Sequence, residues 1–313
     1  MFAFILKRMA AALPVMAVVA AVVFAILRLT PGDPAAILAG DSATPEQLDA
    51  IRKHLGLDQP IHLQFVQWIG HLLQGDFGTS LLSGTPVVEM IGQRVGPSIA
   101  LCISTIIVAI VVAIPLGVLA AWRQGKLLDR MVMAASVLGF SIPVFVTGYV
   151  LILTFSLGLG WFPVQGYKPL EEGILPFLRS ITLPTLALST VYIALIARIT
   201  RTSVIEVMNE DFIRTARAKG LGERAVLLGH ALRNAAVPIV TIIGVGIAML
   251  IGGVVVTESV FNLPGLGRLV VEAVLARDYP VIQGLILLFA LVYVLINLLV
   301  DVSYTIFDPR IRY

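Results

Sequence analysis

The side chains able to do covalent or metal chemistry are few in this 313-residue chain and poorly placed for it. The four histidines are His54, His62, His71 and His230. The first three share one segment, but none stands at the i, i+4 spacing that sets two ligands on one helix face, or in a zinc-finger spacing. They read as solvated surface groups. The single cysteine, Cys102, excludes a disulfide framework and a cysteine-rich metal site, and within an apolar run it reads as a packing residue. No His-Glu-x-x-His occurs, and Gly139-Phe140-Ser141-Ile142-Pro143 lacks the last glycine of a Gly-x-Ser-x-Gly nucleophile elbow. The phosphate loop Gly-x-x-x-x-Gly-Lys-Ser/Thr is missing too, since Gly125-Lys126-Leu127 has neither its first glycine nor its hydroxyl. No catalytic residue, metal site or cofactor is expected in this chain.

The chemistry that remains is recognition, and it concentrates in residues 198–234. There Ile205, Met208, Phe212 and Ala216 fall at i, i+3, i+7 and i+11, one apolar stripe on a helix. Gly220 follows Arg217 and Lys219, as a helix C-terminus with a left-handed cap requires. A second short helix is predicted to begin near Glu223, with Leu228, Ala231 and Leu232 on one side. The result is a helix-turn-helix whose stripe needs cover, either from the chain's own spans or from another subunit.

The elements that carry this hairpin are set by hydropathy. Hydrophobic residues make up 58% of the chain and charged ones only 13%, about half the usual charge of a soluble domain. The apolar residues gather into six runs long enough to cross a bilayer, which predicts an all-α polytopic membrane protein with six transmembrane helices. The runs are Met9–Leu27, Ser98–Trp122, Met131–Leu157, Ile181–Ala197, Ala235–Thr257 and Tyr279–Val300. The first is too long for the apolar core of a signal peptide and reads as a retained helix. Three parts result: 1–29 with the first span, an extramembrane segment 30–97, and a core 98–313 with the other five spans. Within 30–97, Thr30-Pro31-Gly32-Asp33-Pro34 breaks the chain, and Thr44-Pro45-Glu46-Gln47 reads as a helix start. Ile61, Phe65, Trp68, Ile69 and Leu72 then recur at helical spacing, in short amphipathic helices resting on the membrane surface or on one another.

Charge orients the spans. Residues 1–8, 123–130, 198–234 and 307–313 hold 14 of the 22 lysines and arginines but 6 of the 19 acids. By the positive-inside rule both termini and the hairpin are cytoplasmic, and 30–97 and 158–180 are outside, the latter with Trp161, Phe162 and Tyr167 as an interfacial belt. Once the loops are assigned, no basic stripe remains for nucleic acid. Arg28 and Glu258 are expected at outer helix ends, snorkelling to water. Asp301, near the inner end of the last span, is expected to face Arg310 or a basic loop residue.

The stretch Glu210-Asp211-Phe212-Ile213-Arg214-Thr215-Ala216-Arg217-Ala218-Lys219-Gly220-Leu221-Gly222 closely resembles the permease signature loop of ABC importers, in the form found in dipeptide, oligopeptide, nickel and glutathione permeases. Further matches run the length of the chain: Leu29-Thr-Pro-Gly-Asp-Pro34, Leu55-Gly-Leu-Asp-Gln-Pro60, Gly75-Asp-Phe-Gly-Thr-Ser80 and His230-Ala-Leu-Arg-Asn-Ala235. Val260-Phe-Asn-Leu-Pro-Gly-Leu-Gly-Arg-Leu269, Arg277-Asp-Tyr-Pro-Val-Ile-Gln283 and Asp308-Pro-Arg-Ile-Arg-Tyr313 complete the set. The general loop carries Glu-Ala-Ala six residues before its glycine, where this chain has Arg214, Thr215 and Ala216; that departure is usual in the peptide group. It leaves Glu210, Asp211 and Arg214 as candidates for the polar contacts of the missing glutamate.

The resemblance implies a MetI-like permease fold in the cytoplasmic (inner) membrane. It implies that Glu210, Asp211, Phe212, Arg214, Thr215, Ala216, Arg217, Ala218, Lys219, Gly220 and Leu221 dock on a partner ATPase. The implied partners are a second homologous permease, two cytoplasmic ATP-binding subunits that hold ATP and Mg, an extracytoplasmic solute-binding protein, and membrane lipid. The implied activity is import of peptides or a related small solute. A stand-alone secondary transporter or channel also fits six helices, but neither clear inverted repeats nor paired intramembrane charges appear.

Overall fold

The computed structural model describes residues 2–29, 35, 44–54 and 56–307, and among these it is helical with no strand. The Thr30–Pro34 breaker, the closing Asp308–Tyr313 string and with it Arg310, one of the partners expected for Asp301, lie outside the described residues.

Helix α1 (Phe2–Leu29) is the first apolar run. Helix α2 (Pro45–His54) starts as expected: Gln47 N–H donates to Thr44 Oγ1 at 3.3 Å, and Thr44 N–H donates to Gln47 Oε1 at 3.0 Å. That reciprocal capping box, with proline at the first helical position, satisfies two otherwise orphaned donors. Helix α3 (Ile61–Leu73) follows, then α4 (Val87–Trp122), which at 36 residues is about 54 Å long and starts well before the apolar run it contains.

The third apolar run is not one rod. Helix α5 (Leu127–Ser141) and helix α6 (Val144–Leu151), prolonged by the π-helical Ile152–Gly158, meet at 101°. The cause is local. Pro143 forces its predecessor out of the helical region, and Ile142 lies at φ −83°, ψ 122°. Among the described residues five helices are long and apolar enough to cross a membrane: α1, α4, α7 (Ile174–Met208), α9 (Ala236–Val260) and α11 (Tyr279–Phe307). The bent pair makes a sixth if it counts as one crossing. Between the later spans lie the short helices α8 (Asp211–Ala218) and α10 (Leu266–Leu275).

The chain divides into two compact units. The first comprises Pro97–Gly267 and the chain from Leu295 on. Its spine is α7, the most buried span, whose Leu183, Ala187, Leu188, Tyr192, Ile196 and Ala197 form one core with Leu101, Ala109 and Ala113 of α4 and Leu250 and Val254 of α9. Small residues permit the close approach that membrane helices need, since lipid offers them no hydrophobic drive to associate. A Cβ on Gly117 would stand 2.7 Å from the Ala197 carbonyl oxygen of α7. Ser104 and Thr185 share a hydroxyl hydrogen bond of 2.7 Å between α4 and α7.

Glu258, expected at a helix end reaching for water, is instead fully buried. Ser98 Oγ donates to its Oε1, and Leu266 N–H donates to Ser98 Oγ at 2.8 Å. The loop Phe261–Gly265 folds round this carboxylate. Asn262 takes a left-handed conformation (φ 52°), so that Leu263 N–H caps the Glu258 carbonyl at 2.9 Å. A side chain on Gly265 would run into the Glu258 carboxylate, which explains the glycine there.

The second unit comprises Phe2–Gly96 and Arg268–Val294. Within it two of the short motifs meet: Ser80 Oγ donates to the buried Asp278 Oδ2 at 2.5 Å, and Leu81 N–H donates to Asp278 Oδ1 at 3.1 Å. Glu272 is bridged by Arg94 at 3.0 Å and Arg268 at 2.8 Å.

Glycine tolerance gives a direct test of the packing. A Cβ on Gly267 would meet Val255 Cα at 2.6 Å, whereas one on Gly252 meets nothing within 4 Å. Gly267→Ala is expected to cost about 1–3 kcal/mol through overpacking, and Gly252→Ala to be neutral or slightly stabilising. Thermal unfolding of the two variants in mild detergent distinguishes them.

Candidate functional site

Among the described residues no group of three His, Cys, Asp or Glu side chains is arranged to hold a metal. The hairpin between α7 and α9 is the candidate site, and it is built differently from the single stripe read in the sequence. Helix α7 runs straight out of its apolar run to Met208, then stops: Asn209 ends it and Glu210 is extended (φ −71°, ψ 150°). The i+7 relation between Ile205 and Phe212 is therefore lost. Ile205 and Met208 stay on α7, while α8 buries Ile213 and Ala216 instead, at i and i+3, and leaves Phe212 exposed. The second arm begins at Glu223 as expected, but a π-helical stretch, Val226–Ala231, shifts its register. Val226, Leu227 and Ala231 turn inward and Leu228 outward. π-Bulges of this kind are often found at functional sites.

The inward residues close one apolar cluster. Ile213, Ala216, Val226, Leu227 and Ala231 pack with Val118 and Ala121 of α4, Val204 of α7, and Ala235 and Ile239 at the start of α9. The stripe is thus covered by the chain's own spans. Of the residues expected to dock, Ala216 belongs to this inner face. Glu210, Asp211, Phe212, Arg214, Thr215, Arg217, Ala218, Lys219, Gly220 and Leu221 are exposed on the outer one.

The tip is stiff. Gly220 adopts φ +81°, Leu221 N–H donates to the Ala216 carbonyl at 3.3 Å, and Gly220 N–H donates to the Arg217 carbonyl at 2.9 Å. These are the two bonds of a Schellman cap, which an L-residue at position 220 would strain. Arg217 clasps Glu223 across the turn through two hydrogen bonds, 2.9 and 3.2 Å. Asp211 and Arg214 pair within α8 at 3.2 Å, and Thr215 Oγ1 donates to the Asp211 carbonyl at 3.1 Å. Two of the three candidates for the missing glutamate's contacts are therefore engaged with each other. The exposed apolar groups of the outer face are Phe212, Leu221 and Leu228.

Sequence reasoning missed the bolt beneath the hairpin. Asp129 of α5 is buried and accepts a forked pair of hydrogen bonds from Arg201 of α7, through Nε and, at 2.8 Å, through Nη2. Gly125 N–H donates to the same carboxylate at 2.8 Å from the turn before α5, where Gly125 has φ +76°. Seventy-odd residues separate the partners, and nothing local marks them. The Arg217–Glu223 clasp had a signal: opposite charges flanking the capping glycine.

The comparisons with known proteins then decide the family. Residues 113–313 match the model of the binding-protein-dependent transport system inner membrane component, and residues 1–102 match that of the N-terminal part of such membrane components. This chain belongs to that family. Similar proteins include a probable peptide ABC transporter permease of Sinorhizobium fredii, 51% identical over 99% of both chains. A putative peptide transport system permease of Brucella abortus is 47% identical, and a glutathione transport system permease of Salmonella paratyphi A 45% identical, each over the full length of both chains. A chain of the inward-facing MetNI methionine ABC transporter superposes with a TM-score of 0.60 at 18% identity, covering 71% of this permease and 97% of that chain. At that identity the likeness concerns the fold, which is MetI-like as expected.

The bolt and the clasp should differ in weight. Asp129→Ala strands a largely buried Arg201 and is expected to destabilise the permease by about 3–5 kcal/mol, seen as a lowered unfolding temperature and faster proteolysis at the hairpin. Arg217→Ala removes an exposed pair and should cost under about 1 kcal/mol.

Proposed function

We propose that this permease forms half of the translocation pathway of an ATP-driven importer of peptides or a closely related small solute. The observation that carries the reading is the two-faced hairpin: an inner face sealed to three spans, and an outer face offering Phe212 and Leu221 among charged residues. Its role is to seat in a groove on an ATP-binding subunit, with Phe212 and Leu221 as apolar anchors and Glu210, Asp211, Arg214, Thr215, Arg217, Ala218, Lys219 and Gly220 around them.

The mechanism follows from stiffness. Closure of two ATP-binding subunits pushes on the capped hairpin, and the apolar cluster passes the displacement to α4, α7 and α9 as rigid bodies. Close-packed interiors deform little and transmit strain. A second homologous permease supplies the other half of the pathway, and an extracytoplasmic binding protein delivers the solute. ATP and Mg are bound and turned over by the ATP-binding subunits, with no cofactor in this chain.

The bent pair α5–α6 counts in this reading as one crossing, giving an even number. Both termini and the basic hairpin then lie in the cytoplasm, in keeping with the bias of lysine and arginine toward that face. The relatives named for peptide and glutathione transport support the substrate class.

The test separates docking from folding. Phe212→Asp and Leu221→Asp place a charge on the outer face only, while Ile213→Asp places one in the sealed face. Losing a buried aromatic anchor typically costs about 2 kcal/mol or more, so Phe212→Asp should weaken subunit association by more than about tenfold, and Leu221→Asp should weaken it as well. Membrane insertion and unfolding temperature should be unchanged and solute uptake lost. Uptake that persists in both outer variants would refute the docking role, whereas Ile213→Asp is expected to unfold the hairpin itself.

A further inference from the structure

Helix α3 carries more apolar surface than the described residues cover. One side of it is used within its unit: Phe65 and Trp68 pack against Phe24 of α1, with ring centroids 5.2 and 5.5 Å away, and the Arg28 guanidinium lies 5.3 Å above the same Phe24 ring. Gln64 fastens the helix to the turn before it, its Nε2 donating to the Gln59 carbonyl at 2.8 Å. A second side is apolar and open. Leu63, Val66, Gly70 and Leu73 follow at i, i+3, i+7 and i+10, and the three large residues are 46%, 65% and 84% exposed. A polar strip of Gln67 and His71, beside Gln64, lies along one edge of that side, and exposed His62 stands at the other edge, near the helix start. No Asp, Glu, Lys or Arg occurs anywhere in its 13 residues.

Three features identify what covers the open side. The helix is about 20 Å long, too short to cross a bilayer but suited to lie along its surface. It is held against Phe24, five residues from the end of a span, so Phe65 and Trp68 sit at the level where aromatic rings gather at a membrane–water boundary. Arg28 stacks at that same level, where a long cation reaches headgroups. We infer that α3 is an in-plane membrane helix, with Leu63, Val66 and Leu73 lodged among lipid acyl chains and Gln67 and His71 facing water. A docked protein would find the same stripe, but it would have to sit beside the end of a span, where lipid is already present around α1.

The only native cysteine makes the test clean. In a Cys102→Ala background, Val66→Cys, Leu73→Cys and Gln67→Cys are each spin-labelled in the complete importer, reconstituted in phosphatidylcholine–phosphatidylglycerol vesicles. Collisions with apolar oxygen and with a water-soluble nickel chelate are then compared. The proposal expects oxygen to dominate at 66 and 73 and nickel to dominate at 67. Nickel dominating at all three sites would show α3 standing in water. Low access of both reagents at 66 and 73 would show a protein partner on the stripe. Either result overturns the assignment.

Discussion

The sealing of Ile213 and Ala216 beneath the hairpin is the contact on which the account rests. A helix of eight residues is far too short to be stable by itself. It persists because those two side chains, with Val226, Leu227 and Ala231, complete a cluster founded on α4, α7 and α9. Burial of such side chains contributes roughly 1.5–3 kcal/mol for each large one, enough to hold α8 without help from its exposed ion pair. The same contact divides the hairpin into a face packed on the spans and a face left exposed. The proposed docking role uses only the outer of these two faces.

The long helices join this local seal to the core of the same unit. Helix α7 passes without interruption from the core around Leu188 and Tyr192 to the root of the hairpin at Met208. The Asp129–Arg201 bolt joins α5 to it a short way before that root. Buried ion pairs are weak sources of net stability but costly to break, and they fix one arrangement among several. Here the arrangement fixed is the seat of the hairpin. Glu258 does comparable work elsewhere in the same unit, ordering the Phe261–Gly265 loop through Ser98 and close glycine contacts.

Where the sequence could be read, local physics had already decided the structure. Bilayer-length runs, the Thr44–Gln47 capping box and the left-handed Gly220 needed nothing beyond neighbours a few residues away. Where reading failed, either a short local break redirected a helix or a distant partner buried a charge. Pro143 was visible, but a proline in a membrane helix is often tolerated, and only the local backbone revealed a bend of 101°. The apolar stripe through Phe212 assumed one continuous helix, and two residues at 209–210 sufficed to redirect it. Glu258 was assigned to water because its hydrogen-bonding partner lies 160 residues earlier in the chain. Asp129 and Arg201 were counted as loop charges for the same reason. The signature loop was recognisable as a string, yet its division into inner and outer faces appeared only with the fold.

The most direct measurement is a cross-link from the outer face. With Cys102→Ala removing the native thiol, Leu221→Cys is treated with a short thiol-to-amine cross-linker in membranes that contain the whole importer and remain active in uptake. The account predicts an adduct with an ATP-binding subunit whose yield changes when ATP is added. An active importer whose position 221 yields adducts only within the permease itself would contradict it.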